Sequence, residues 1–187
     1  MDLGKIRQEA LDFGFTLAEP ISIDTIHLRE EVREMCAVNK CHAYNTNWSC
    51  PPACGTVEEC QERVNSYDCG IIVQTTGQLE DDFDIETMQE TAKQHSKHVV
   101  DMLLHLRKDY PELDVLPLGA GACMSCKKCT YPDAPCRFPD RMSSPMEGYG
   151  KVISDVCKDN NILYNHGRGT LTYVACYLFK EGKTNEG

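Results

Sequence analysis

The chain has 187 residues, with 19 Lys plus Arg against 29 Asp plus Glu and a formal charge of −10. That length suits one domain, expected over residues 1–180 with a flexible tail at 181–187. The acidic balance argues against nucleic-acid binding, which needs a basic footprint, and against polybasic attachment to a membrane surface.

Hydrophobic residues make up 41% and charged residues 26%, an ordinary globular composition. The unusual figure is 12 cysteines against a single Trp, so function is to be sought in the cysteines. The opening Met1–Ala10 segment has no apolar core of a secretory signal, and no stretch approaches the roughly 18 apolar residues of a membrane span. The expectation is a cytoplasmic protein. In that reducing compartment, clustered cysteines favour metal ligation or redox chemistry over a disulfide framework.

In chain order, Leu3, Ile6, Ala10 and Phe13 recur at helical spacing before Gly14, predicting a helix over 2–13. Residues 15–20 are β-rich, and Pro20 suits an edge strand. Asp24 can cap a helix over 24–35 with Leu28, Val32 and Met35 inward, delivering Cys36 at its C-terminal end. Residues 36–55 read as a loop. Thr56-Val57-Glu58-Glu59 is a capping box opening a helix over 56–67.

Residues 70–75 read as a buried strand. Ile85, Met88, Ala92, His95, Val99, Met102 and Leu106 define the longest helix, 84–109, in which His95 lies on the core stripe. A strand over 113–118 leads into a second cysteine loop. Ser144-Pro145-Met146-Glu147 reads as cap, first position and capping-box acid of a helix running to 159, and 170–179 as a final strand. The fold expected is α+β: a small mixed sheet covered by helices, with two cysteine loops meeting on one side.

The second loop carries the strongest signal. Cys123, Cys126 and Cys129 are spaced by two residues, and Cys136-Arg137-Phe138-Pro139 follows. Successive thiolates at this spacing can wrap one compact centre, as in the core of bacterial ferredoxins, although the last gap here is six residues. Structural zinc, the competing metal, more often pairs one Cys-x2-Cys with a distant second pair. Lys127, Lys128, Arg137 and Arg141 outnumber Asp133 and Asp140, a local positive balance suited to an anionic thiolate centre.

The first loop holds Cys36, Cys41, Cys50 and Cys54, with Pro51 and Pro52 stiffening the chain beside Cys50. Cys60, Cys69, Cys157 and Cys176 fall on helix or strand positions and read as small core hydrophobes.

Together, Cys36…Cys41…Trp48-Ser49-Cys50-Pro51-Pro52, the Cys123–Cys129 run, Cys136-Arg137-x-Pro139 and Ser144-Pro145-Met146-Glu147-x2-Gly150 resemble a family of predicted metal-binding proteins, domain of unknown function 2284. The resemblance implies a metal centre, of iron–sulfur type, in an anaerobic prokaryote, and no particular activity. The family pattern has three cysteines in the first loop, so Cys54 stands as an extra one.

Two functions follow. Eight loop cysteines divided four and four suit a redox or electron-transfer protein with one or two [4Fe-4S] clusters, serving a redox partner protein. Without Cys54, seven remain, and a three-cysteine cluster leaves an iron open to a small-molecule substrate, with Arg137 and Glu147 as cofactor-binding or substrate-binding candidates. A zinc-stabilised interaction domain is the third alternative. No P-loop, dinucleotide fingerprint or nucleophile elbow is present.

Overall fold

The computed structural model describes residues 1–181; residues 182–187 of the expected tail lie outside the described residues. Five strands form one mixed sheet in the order β1-β2-β5-β3-β4. They are β1 (Leu17–Ile21), β2 (Cys69–Gln78), β3 (Leu113–Gly119), β4 (Ser144–Pro145) and β5 (Thr170–Glu181). All neighbours are antiparallel except β3 and β4, which run parallel. Pro20 sits on β1, an edge strand, where a missing N–H costs no ladder bond on the outer side. Glu181, expected in the tail, still pairs with Leu113 as the last residue of β5.

Six α-helices accompany the sheet: α1 (Leu3–Asp12), α2 (Glu30–Ala37), α3 (Val57–Asn65), α4 (Ile85–Asp109), α5 (Met146–Tyr149) and α6 (Ile153–Asp159). The side chains of β5 alternate between two cores. Ala175, Tyr177 and Phe179 join Ile6, Ala10, Val99, Met102 and Leu106 under α1 and α4. Val174, Cys176 and Leu178 join Cys60, Val64, Met146, Tyr149 and Val156 under α3, α5 and α6. A strand buried on both faces reads as a continuous apolar run, as Tyr173–Phe179 does.

Two helices differ from expectation. The predicted 24–35 helix begins only at Glu30. Asp24 lies in a separate 3-10 turn, Ile23–Thr25, and caps nothing; Met35 is 66% exposed rather than inward. Cys36 does lie in the last turn of α2. The predicted 145–159 helix is two short helices. Ser144 and Pro145 pair with Leu118 and Gly119 as a strand instead of capping, and α5 ends where Gly150 turns left-handed at φ +98°. The Gly150 carbonyl accepts from Arg29 N at 2.8 Å, and a Cβ there would come within 2.8 Å of the Arg29 carbonyl oxygen. Close approach to the chain entering α2 therefore requires glycine at the break.

The capping box of α3 is formed in full. Glu59 N donates to Thr56 Oγ1 (3.1 Å) and Thr56 N to Glu59 Oε2 (2.8 Å). Asp84 Oδ1 caps α4 through Thr87 N at 3.0 Å. Midway along α4, His95 is 1% exposed, with Nδ1 2.9 Å from Thr75 Oγ1 and no partner for Nε2.

Burial, reinforced by the nearby His98, lowers the His95 pKa from 6.5 to about 4. The unfolded chain thus takes up a proton between pH 6.5 and 4 that the folded chain refuses, so stability is lost as pH falls through that window. The full effect is on the order of 3 kcal/mol. His95→Gln, which keeps an amide beside Thr75, should show a shallower loss of stability between pH 6.5 and 4 in denaturant titrations. Parallel pH profiles for the two proteins would exclude His95 as the source.

Candidate metal centre

Three structural elements bring the cysteine loops together. Helix α2 carries Cys36 in its last turn, β3 ends at Gly119 shortly before Cys123, and the parallel strand β4 returns beside β3 to start α5. The loops dock directly. Cys123 N donates to Ser49 Oγ (3.1 Å), Trp48 Nε1 to the Ala134 carbonyl (3.1 Å), and Tyr131 OH to Asn45 Oδ1 (2.8 Å). The Trp48 and Tyr131 rings meet edge-on, centroids 4.9 Å apart. The loops therefore meet on one side of the sheet, as expected from the chain order.

Asn47 organises the first loop. Its Oδ1 accepts from Ser49 N (3.1 Å), Ser49 Oγ (2.7 Å) and Cys50 N (3.0 Å), while Nδ2 donates to the Ala43 carbonyl (3.1 Å). Asn39, His42 and Asn45 all adopt left-handed backbone with φ of 57°. Asn tolerates that region better than most residues, which explains an Asn-rich loop.

Two adjoining cavities lie between the loops. One, of about 300 Å³, is lined by Cys123, Cys126, Cys129 and Cys136, with Cys41 and Lys127. The other, of about 240 Å³, is lined by Cys36, Cys41 and Cys50, with Tyr44 and Glu147. Cys41, Ala43 and Ala122 border both. Seven of the eight candidate thiols are thus gathered at these cavities. Among the described residues, no three His, Cys, Asp or Glu side chains converge tightly enough to hold a single metal ion. The thiols are spread around the walls.

Cys54 is the eighth thiol, and it lines neither cavity. It is buried in the core beneath α3, where its Sγ donates to the Gly148 carbonyl at 3.5 Å. The sequence reading placed Cys60 among inert core residues and did not foresee its contact with the Cys54 backbone. The Cys60 thiol donates to the Cys54 backbone carbonyl at 3.5 Å. Arg33 Nη2 donates to Cys60 Sγ at 3.5 Å, and Arg33 Nη1 to the Gly55 carbonyl at 2.7 Å.

Proximity to Cys54, helped by Arg33, lowers the Cys60 thiol despite burial, and the Cys54 thiol moves up. An arginine three residues before Cys36 was the only sequence trace of this arrangement. Cys157 and Cys176 lie in the core, as read from their positions. Cys69 is half-buried at the start of β2.

The remaining groups divide by environment. Arg137 borders neither cavity; its Nη1 closes the second loop by donating to the Lys128 carbonyl at 2.7 Å. Burial raises the Glu147 carboxyl above its usual range, and no side-chain cap bond engages it, so the expected capping-box role is not present. Burial also raises the Cys36 and Cys50 thiols, the latter partly offset by bonds from Asn47 and Ser49. At Cys129, burial is outweighed by the backbone N–H groups of Tyr131, Trp48 and Thr130 and by Arg137, and the thiol is lowered.

A family model for predicted metal-binding proteins, DUF2284, matches residues 19–179. The chain belongs to this family. No curated protein and no solved structure matches it. Among the described residues, no helix is long and apolar enough to cross a membrane. The chain is therefore a cysteine-rich member of this family of predicted metal-binding proteins.

Asn47→Ala tests the loop organisation. It strands three donors, those of Ser49 and of Cys50 N, and should cost about 2–3 kcal/mol. Metal content per chain should fall with it. Unchanged denaturation midpoint and metal content would show that the loop is held by other means.

Proposed function

We propose that this DUF2284 protein is an iron–sulfur redox protein with one closed and one open site. In this reading Cys123, Cys126, Cys129 and Cys136 hold a [4Fe-4S] cluster, and Cys36, Cys41 and Cys50 hold a second. The observation that carries it is the grouping of thiols: Cys123, Cys126, Cys129 and Cys136 line one cavity, Cys36 and Cys50 with a carboxylate line the other, Cys41 borders both, and Cys54 is withdrawn into the core.

The donor chemistry suits polynuclear centres. A tetrahedral zinc ion needs four donors about 2.3 Å from one point. Thiols distributed around a cavity wall suit a larger core. Backbone N–H groups aimed at Cys129 are the hydrogen bonds that tune cluster potentials. Such clusters supply one-electron transfer, and a three-thiolate cluster supplies an exchangeable iron position as well.

The chain's own residues do the rest. Glu147 faces the three-thiol cavity, where burial favours its protonated form, so it can hold a proton beside a small bound molecule. Tyr44 narrows the same cavity. Arg137 keeps the second loop closed through Lys128, and Lys127 brings a positive charge to the four-thiol cavity. A small-molecule substrate is expected at the three-thiol side, and a redox partner at the exposed face of the second loop, where Met124 is 81% exposed.

Anaerobically purified protein should be brown and contain iron and acid-labile sulfide; a colourless protein with stoichiometric zinc would overturn the reading. Cys126→Ala should lose iron and stability together, since metal binding and folding are coupled. Cys54→Ser should keep wild-type iron and sulfide. Added small thiols should shift the electron paramagnetic resonance signal at unchanged iron content. Loss of a cluster in Cys54→Ser would instead make the first site a closed four-cysteine one.

A further inference from the structure

A cavity of about 690 Å³ lies beside the second loop, outside both thiol cavities. It runs along β3 at Val115, Leu116 and Pro117. There β3 pairs with β5 on one side only, because β4 reaches no further than Leu118 and Gly119. Trp48, Cys136 and Met142 border both this cavity and the four-thiol one. We propose that it is the binding site of a small organic carboxylate with an apolar body, the carboxylate held by Arg63 and Tyr149.

The first observation is a pair of donors at the wall. Arg63 Nη1 donates to Tyr149 OH at 2.6 Å, and both side chains line the cavity. Tyr149 is 1% exposed, yet its hydroxyl, having accepted from Arg63, donates to no acceptor among the described residues. Buried polar groups are normally satisfied, so this O–H calls for a partner that the chain does not supply. A carboxylate can accept from a guanidinium and a phenol together, through two charge-assisted bonds.

The second observation is charge. Among the described residues no carboxylate pairs with Arg63; its other bond, at 3.4 Å, goes to the Cys54 carbonyl. Arg107 is a second cation in the wall and reaches Asp140 only at 3.8 Å. Asp133 is the one acid of the lining. Two arginines against one aspartate reverse the sign of a chain whose net charge is −10, and such a cleft gathers anions.

The third observation is the remaining wall. Val115, Leu116 and Pro117 from β3, with Trp48, Pro132 and Pro135 from the two loops, are apolar. Small-molecule sites combine such walls with a few converging polar groups. An inorganic oxyanion would use the Arg63–Tyr149 end and leave the apolar walls wet. An uncharged apolar molecule would leave both donors unanswered. A carboxylate on an apolar body meets both demands. The site goes beyond the functional reading and holds whichever metal the loops carry.

The test uses the full-length, metal-loaded protein under anaerobic conditions, titrated by calorimetry with cinnamate and with octanoate. At least one should bind with a stoichiometry of one per chain, about tenfold or more tighter than its own amide and than acetate. Octanoate binding should also change the emission of Trp48, the only tryptophan of the chain. Arg63→Gln should weaken binding about tenfold or more, and Tyr149→Phe roughly threefold or more, at unchanged metal content.

No saturable binding of either carboxylate below about 1 mM would overturn the proposal. So would amides that bind as tightly as the acids, or full affinity in a folded Arg63→Gln protein. Should Arg63→Gln fail to fold, the comparison of acid with amide on the unaltered protein and the Tyr149→Phe variant still decide. Metal and sulfide content of the same samples report separately on the functional reading: carboxylate binding to a zinc protein would overturn that reading and leave this site standing.

Discussion

A loop that lines a cavity with thiols has no ladder of backbone bonds to fix its shape, so the shape must come from side chains. In this protein the buried Asn47 carboxamide has that task. One oxygen gathers three donors from Ser49 and Cys50, and the Ser49 hydroxyl so positioned accepts from Cys123 N in the other loop. The relative placement of Cys50 and Cys123 thus runs through two polar side chains, both buried. Lost hydrogen bonds here would be felt at every thiol of the shared wall, because Cys41, Ala43 and Ala122 border both cavities.

The sheet explains why this arrangement can be rigid. Strand β5 is buried on both faces and holds β2 and β3 along most of their length, giving the platform two independent cores. β3 delivers the second loop from its end, and the two-residue β4 brings the chain back to the same end at once. α5 then has only four residues before Gly150, so Glu147 and Gly148 are pinned between a strand pairing and a glycine turn. Gly148 has no room for a side chain, since a Cβ would lie 2.7 Å from Pro145 Cγ. A short element clamped at both ends is a precise way to hold a carboxylate at a cavity.

Much of this was legible in the sequence where period and chemistry agree. α1, α3 and α4, and the four longer strands, follow from hydrophobic spacing and caps such as Thr56–Glu59 and Pro111 after α4. The Ser144-Pro145-Met146-Glu147 segment was misread because it carries every local signal of a helix start. Tertiary pairing with Leu118 and Gly119 won, a non-local contact that local propensity does not encode.

The loop thiols stood out as a set from their spacing, but which cavity each of them lines did not. Spacing counts residues along a chain and says nothing of which way a sulfur points. Cys54 lies four residues after Cys50, yet it turns into the core while Cys50 faces the cavity. Cys60 was read correctly as buried, but burial alone does not reveal a neighbour.

Arg33 carries the electrostatic consequence of that division. A chain of net −10 is a poor medium for buried thiolates unless cations stand close by. Arg33 leaves α2 one turn before Cys36 and reaches the Gly55 carbonyl and Cys60 Sγ. Its charge favours negative sulfur on both sides: it works against burial at Cys36, and it lowers both Cys54 and Cys60. Its Nε is buried and without a partner, so the bonds to Gly55 and Cys60 are what hold the side chain in place. Cys36 and Cys60 therefore share one cation, and a change of charge at either sulfur is felt at the other through it.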